Sequence, residues 1–120
     1  MQNIFINVSE HPRHKDIVLL SVKGFIDTTT APEFDVTFQS VLKQGKYKLV
    51  VDLREVNYIS SAGWGIFISE IKRIRSRKGD LILAAMTPEV AEVFELLEFN
   101  TILKSFPSVD QAVKVGFDKS

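Results

Sequence analysis

The period of apolar and polar positions changes along the chain, and each change marks an element. Near the N-terminus Ile4, Ile6 and Val8 alternate with Asn3, Phe5 and Asn7, which predicts a strand over residues 3–9 with one face inward. The polar stretch 11–16 reads as a turn, and residues 17–23 as a second strand that completes a hairpin. Beyond Gly24 and the connection 25–30 the period lengthens: Phe34, Phe38, Val41 and Leu42 recur at helical spacing and should face a core. Thr30 is placed to cap this helix, Pro32 suits its first turn, Glu33 completes a capping box, and Gly45 is a natural stop. Residues 46–53 then form a run of β-branched and apolar side chains that suits a buried strand.

A second helix is predicted over 61–77, with Phe67, Ile71 and Ile74 in line and Ile68 beside them. Lys72, Arg73, Arg75, Arg77 and Lys78 crowd its last turns, where positive charge is favourable, and they read as a solvated face. Gly79-Asp80 is a turn, and 81–86 a short buried strand. Thr87-Pro88-Glu89 opens a third helix that turns Val90, Phe94 and Leu97 inward and stops near Asn100. Residues 101–106 form a last, edge strand. Ser108 and Gln111 make a second capping box, opening a closing helix with Val109, Ala112 and Val113 apolar. Two strands, then helix–strand three times, then a helix predict an α/β fold over residues 1–120 as one domain. Its sheet is mixed, with an antiparallel N-terminal hairpin, parallel neighbours joined by crossovers, and helices packed mainly on one face.

Composition narrows the function. Lys and Arg total 15 and so do Asp and Glu, so the formal charge is zero. That balance argues against a nucleic-acid partner, whose phosphates call for a basic surplus. There is no cysteine, which excludes disulfides, thiol catalysis and Cys-based zinc sites. No apolar run approaches the ~20 residues that cross a bilayer, and no signal-peptide core is visible. A cytoplasmic protein with no membrane association is expected.

The candidate chemistry lies where the buried strand 46–53 hands over to the second helix. There Arg54-Glu55 turns the chain, 56–59 is a short apolar step, and Ser60-Ser61-Ala62-Gly63-Trp64-Gly65 begins the helix. The first helical N–H groups lack intrahelical partners and carry the positive end of the helix dipole. A serine there is a cap, a neighbour of an anion, or a group to be modified. A catalytic nucleophile is disfavoured: Ser61 has Gly63 after it but Ile59 before it, so the nucleophile elbow is incomplete. His11 and His14 fall in the hairpin turn without a triad or a metal-ligand set. Gly63-Trp64-Gly65 lacks the third glycine of a dinucleotide loop, Ile68 standing in its place, and no P-loop exists. No enzyme activity, cofactor or metal is expected.

The segment Val51-Asp52-Leu53 through Val56, Tyr58, Ile59, Ser60-Ser61-Ala62-Gly63 resembles the signature of STAS domains of the anti-sigma factor antagonist type, D-x-x-x-V-x-[YF]-[IM]-[DS]-S-[AS]-G. Gly24-Phe25-Ile26-Asp27, leading to Thr30-Ala31-Pro32-Glu33, resembles the family's second hallmark, the G-x-[IL]-D loop before the first helix. The resemblance implies a STAS-like fold and a partner-switching regulator. In its unphosphorylated form such a protein binds an anti-sigma factor that is also a serine kinase, which frees the sigma factor. Phosphorylation of a serine ends the binding, and a serine phosphatase restores it. The phosphoacceptor aligns with Ser61. Ser60 stands where many members have Asp, so a second hydroxyl competes for the assignment. Trp64 stands where Leu is usual, and reads either as a core anchor or as an exposed aromatic at the partner surface. The partner-binding set implied is Asp27, Thr28, Ser60, Ser61, Ala62, Gly63 and Trp64. A second reading of the resemblance is a STAS accessory subunit that regulates another protein, such as an ABC-transporter ATPase, without phosphotransfer.

Overall fold

Five strands pair in chain order in a computed structural model of the protein, which describes residues 3–117. β1 (Phe5–Glu10) and β2 (Ile17–Lys23) form the antiparallel hairpin. The chain continues through α1 (Ala31–Lys43), β3 (Lys48–Glu55), α2 (Ser61–Ser76), β4 (Asp80–Ala84), α3 (Pro88–Leu96), a 3-10 turn at Phe99–Thr101, β5 (Lys104–Phe106) and α4 (Val109–Val115). β2, β3, β4 and β5 are parallel neighbours. Each crossover advances one strand in the same direction, so right-handed connections lay α1, α2 and α3 on one face. Their buried side chains share one core with the sheet residues Val18, Leu20, Leu49, Val51, Leu81 and Leu83. α4 alone covers the other face, where Ala112 and Val113 meet Ile17, Val50 and Ile82. β3 is thus covered on both sides, which explains its unbroken apolar run.

Aromatic packing holds α2 against α1. The Phe34 and Phe38 rings lie 5.8 Å apart, and Phe67 meets them edge-on at 5.5 and 6.3 Å. Such pairs add about 0.5–1.5 kcal/mol each beyond their area burial. The N-terminus of α2 is thereby fixed on a rigid base.

The elements fall where the periodicity places them, with local differences. The last strand begins only at Lys104 and not at residue 101, because the chain first makes the 3-10 turn Phe99–Thr101, and Asp80, read as part of a turn, opens β4. Val8 of β1 is exposed, and only Ile6 and Ile4, which precedes the strand, reach the core, because β1 is an edge strand. β4 ends at Ala84 and not at residue 86, since Ala85 adopts φ +57° and turns the chain out of the sheet. Leu97 is exposed: α3 ends at Leu96, and Glu98 at φ +58° swings the chain away, so Phe99 fills the place that helical spacing gave to Leu97. The capping box at Thr30 does not form. Thr30 has φ −96° and ψ −18°, its hydroxyl donates to the Phe25 carbonyl at 2.6 Å, and no side-chain bond caps the helix. The second box is half made, with Ser108 Oγ accepting from the Gln111 N–H at 3.2 Å. Among the described residues no helix is long and apolar enough to cross a membrane.

Candidate functional site

Two loops are zipped together where β3 passes into α2. Ile26 and Ile59 form an isolated parallel bridge, with the Ile26 N–H donating to Tyr58 O at 3.0 Å and the Ser60 N–H to Ile26 O at 2.7 Å. This places the Asp27 loop alongside the serine pair. The bridge satisfies backbone groups that a buried loop would otherwise leave open.

Asp27, not Thr30, organises the first of these loops. Its Oδ1 accepts from the N–H groups of Thr29 and Thr30 at 2.9 and 3.0 Å, while its carbonyl accepts the Ala31 N–H at 2.7 Å. Both backbone bonds to the Asp27 side chain fall on Oδ1, no bond to Oδ2 occurs among the described residues, and the residue is half-buried. Asp27→Asn retains an acceptor at Oδ1 and should melt near the native temperature. Asp27→Ala removes it and should cost about 1–2 kcal/mol in urea unfolding. A loss for Asp27→Asn as large as for Asp27→Ala would show that charge, not the acceptor, holds the loop.

The two serines are sorted by the helix start. Ser60 is the N-cap: its backbone is extended (φ −76°, ψ 171°), its Oγ accepts from the Gly63 N–H at 3.3 Å, and it is 7% exposed. Ser61 is the first helical residue and is exposed, as is Ala62 after it. No acidic side chain lies in the first turn of α2, so the uncompensated N–H groups there face no competing anion on their own helix. Ser60→Ala should lose the cap and about 1 kcal/mol of stability, measurable as a shift of the urea midpoint.

Gly63 and Trp64 lie beneath the surface. A Cβ on Gly63 would meet Ile26 Cγ2 at 2.7 Å and Ile59 Cγ2 at 2.8 Å, so glycine is needed for α2 to start directly under the bridged loops. Trp64 is 3% exposed, its ring 4.9 Å from Phe99, 5.9 Å from Phe94 and 6.1 Å from Phe67. The expectation of an exposed tryptophan at the partner surface is therefore corrected to a core anchor. The physical reason is the helical phase: Trp64 precedes Phe67 by three residues and shares its inward face. Of the sequence-derived set, Thr28, Ser61 and Ala62 are exposed and Asp27 is half-buried; Ser60, Gly63 and Trp64 hold that surface from below.

A model of the STAS domain matches residues 7–112, which span both loops and all of the sheet but the first two residues of β1. An anti-sigma-B factor antagonist of Listeria monocytogenes is 30% identical over 102 residues, covering 85% of this chain and 88% of that protein. The chain belongs to the STAS-domain family of anti-sigma factor antagonists. The STAS fold here is also that of solved structures. An anti-sigma factor antagonist from Mycobacterium paratuberculosis superposes with a TM-score of 0.85 at 24% identity, covering 97% of this chain and 96% of that one. SpoIIAA, an anti-sigma factor antagonist of Bacillus, matches in its unphosphorylated form with a TM-score of 0.75 at 15% identity (97% and 100% covered). Its phosphorylated form gives 0.68 at 14% (92% and 97% covered). In this STAS domain the antiparallel hairpin, the parallel strands and the four helices are all present.

The motif's Tyr58 shares a wall of the site with two residues of the α3 region that the sequence pattern did not bring to it, Val93 and Leu97. Tyr58, Val93 and Leu97 flank the hollow beside Ser61, and all three are exposed. The available signal was the Leu96-Leu97 doublet at the end of a short helix, only one position of which any helical face can bury.

Proposed function

We propose that this protein is a phosphorylation-controlled antagonist: unphosphorylated, it binds an anti-sigma factor that is also a serine kinase and so releases a sigma factor. The observation that carries the reading is the sorting of the serines, Ser61 exposed at the first position of α2 while Ser60 is buried beneath it as the cap. In the transfer step, Ser61 Oγ attacks the γ-phosphorus of ATP held by the kinase. The bond to the β,γ-bridging oxygen breaks, ADP leaves, and the hydroxyl proton passes to a base of the kinase. The phosphoserine then sits at the positive end of the α2 dipole, which tolerates its charge without disturbing the fold. A serine phosphatase restores the Ser61 hydroxyl by hydrolysis, in which water attacks the phosphorus and inorganic phosphate leaves. That SpoIIAA is known in both phosphorylation states with this fold supports the reading by likeness. Asp27 and Thr28, at the same edge, are offered to the partner.

The test is incubation with ATP and the serine kinase recovered on the immobilised protein, followed by phosphosite mapping. Phosphate on Ser61 together with release of the kinase supports the proposal. Stable association with an ATPase and no labelling would replace it by the accessory-subunit reading.

A further inference from the structure

At the pole opposite Ser61, the hairpin turn and α4 enclose a hollow that the phosphorylation switch leaves unused. The turn joins β1 to β2 at the start of the parallel strands, whereas Ser61 follows the end of β3, roughly 25 Å further along the strand direction. The hollow measures about 170 Å³ and is lined by His11, Arg13, His14, Asp110, Val113 and Lys114. Pockets for drug-sized ligands run to roughly 300–1,000 Å³, so this one suits a small ion.

The turn is held in place before any ligand arrives. The His11 N–H donates to the Ile17 carbonyl at 2.9 Å, and the Ile17 N–H to the His14 carbonyl at 2.8 Å. Within that loop His11 Nδ1 accepts from the backbone N–H groups of Arg13 and His14, each at 3.1 Å. A ring nitrogen that accepts carries no proton, so the neutral imidazole holds its proton on Nε2. The fold thereby makes His11 a donor at Nε2 and sets the His14 ring 5.2 Å from it. Pro12 fixes one further backbone angle that binding would otherwise have to freeze.

The charges of the hollow are uncommitted. Lys46, Lys48, Arg75 and Lys104, at the same pole, each meet a carboxylate. Arg13, Lys114 and Asp110 take part in none of the six ion pairs of the described residues. Two exposed cations thus face one exposed carboxylate across buried Val113. A metal ion does not fit, since among the described residues no three His, Asp or Glu side chains could hold one. A guanidinium, an ammonium and two imidazoles are instead the donor set that takes a tetrahedral oxyanion.

We propose that this hollow binds a phosphate dianion, either inorganic phosphate or the phosphoryl group of a small phosphomonoester. Arg13 grips two of its oxygens, Lys114 and His11 Nε2–H donate to the others, and Asp110 limits the affinity by repulsion. Bound there, the anion ties the hairpin turn to α4, two segments far apart in the chain. The inference does not rest on phosphotransfer at Ser61.

The test is titration of the full chain with sodium phosphate, and separately with glycerol phosphate, against sodium chloride of equal ionic strength at fixed pH. The amide and imidazole resonances of His11 and His14, and the amides of α4, should shift in a saturable way with phosphate but not with chloride. Saturable shifts with either probe support the proposal, and the tighter of the two identifies the source. Arg13→Gln should weaken binding about tenfold, the loss of a charge-assisted pair, and Lys114→Gln roughly threefold. His11→Asn keeps an acceptor for the turn amides while removing Nε2–H, and should also weaken it roughly threefold. Asp110→Asn should tighten binding roughly threefold. Glu33→Gln, the same change of net charge at the other pole, should leave it unmoved, as should Ser61→Ala. Phosphate shifts no larger than those of chloride, or affinity unmoved by Arg13→Gln, Lys114→Gln and Asp110→Asn, would overturn the proposal. So would equal tightening by Asp110→Asn and Glu33→Gln, which would show attraction to net charge and no site.

Discussion

Ser61→Ala is expected to bind the cognate kinase and to take up no phosphate, while Ser60→Ala remains a substrate. The geometry separates them: the Ser60 oxygen is held at the Gly63 N–H under the surface, whereas Ser61 stands exposed one residue later. Ser61→Asp is expected to fold and to bind poorly. Two energies decide this outcome. A negative charge at the start of α2 gains roughly 0.3–1 kcal/mol from the helix dipole, so stability is preserved. The same charge in a closed protein interface meets a desolvation cost of several kcal/mol unless a cation answers it. The second effect is the larger. For the phosphoserine dianion a loss of ~4 kcal/mol would be about a thousandfold in affinity. Aspartate carries about one charge where phosphoserine carries nearly two, so Ser61→Asp should fall between the native and phosphorylated forms. Phosphate mapped by mass spectrometry to Ser60, or continued labelling of Ser61→Ala, would defeat the assignment.

Trp64→Ala is expected to cost about 3–5 kcal/mol of folding free energy, the range for removing a buried aromatic from a packed core. The ring lies against Phe67, Phe94 and Phe99, from α2, α3 and the turn after it, so its loss opens a cavity shared by three elements. Trp64→Phe should recover most of the loss. Because this is the only tryptophan, its emission reports one place, and in the free protein it should be blue-shifted and shielded from an aqueous quencher. Urea unfolding and quenching are independent readouts. A loss below about 1 kcal/mol together with strong quenching would return Trp64 to the surface.

Much of this architecture was legible along the chain because its periods are unambiguous. Phe34, Phe38, Val41 and Leu42 fix the buried face of α1, and Phe67, Ile71 and Ile74 that of α2, by spacing alone. The serine pair at the head of a helix was equally legible, since helix starts expose unpaired N–H groups whatever surrounds them. Which of the two serines caps was not legible in the pattern; the bond from the Gly63 N–H to Ser60 Oγ decides it.

What pattern could not supply came from contacts between residues far apart in sequence. Trp64 had two admissible places, core or surface, and the choice was made by Phe94 and Phe99, thirty or more residues later. Asp27 carries the turn that Thr30 was expected to cap, because the bridge between Ile26 and Ile59 pulls the loop inward and commits the Thr30 hydroxyl to Phe25. Gly63 is required by side chains of that same bridge, not by its own helix. Leu97 met the helical period of α3 yet lies outside it, since the backbone at Glu98 turns before the period is complete. Sequence determines which faces are apolar, because side-chain hydrophobicity and backbone period are local properties. Tertiary structure decides which of those faces are covered, because coverage depends on what the rest of the chain brings to them, and on α3 it leaves one face open beside Ser61.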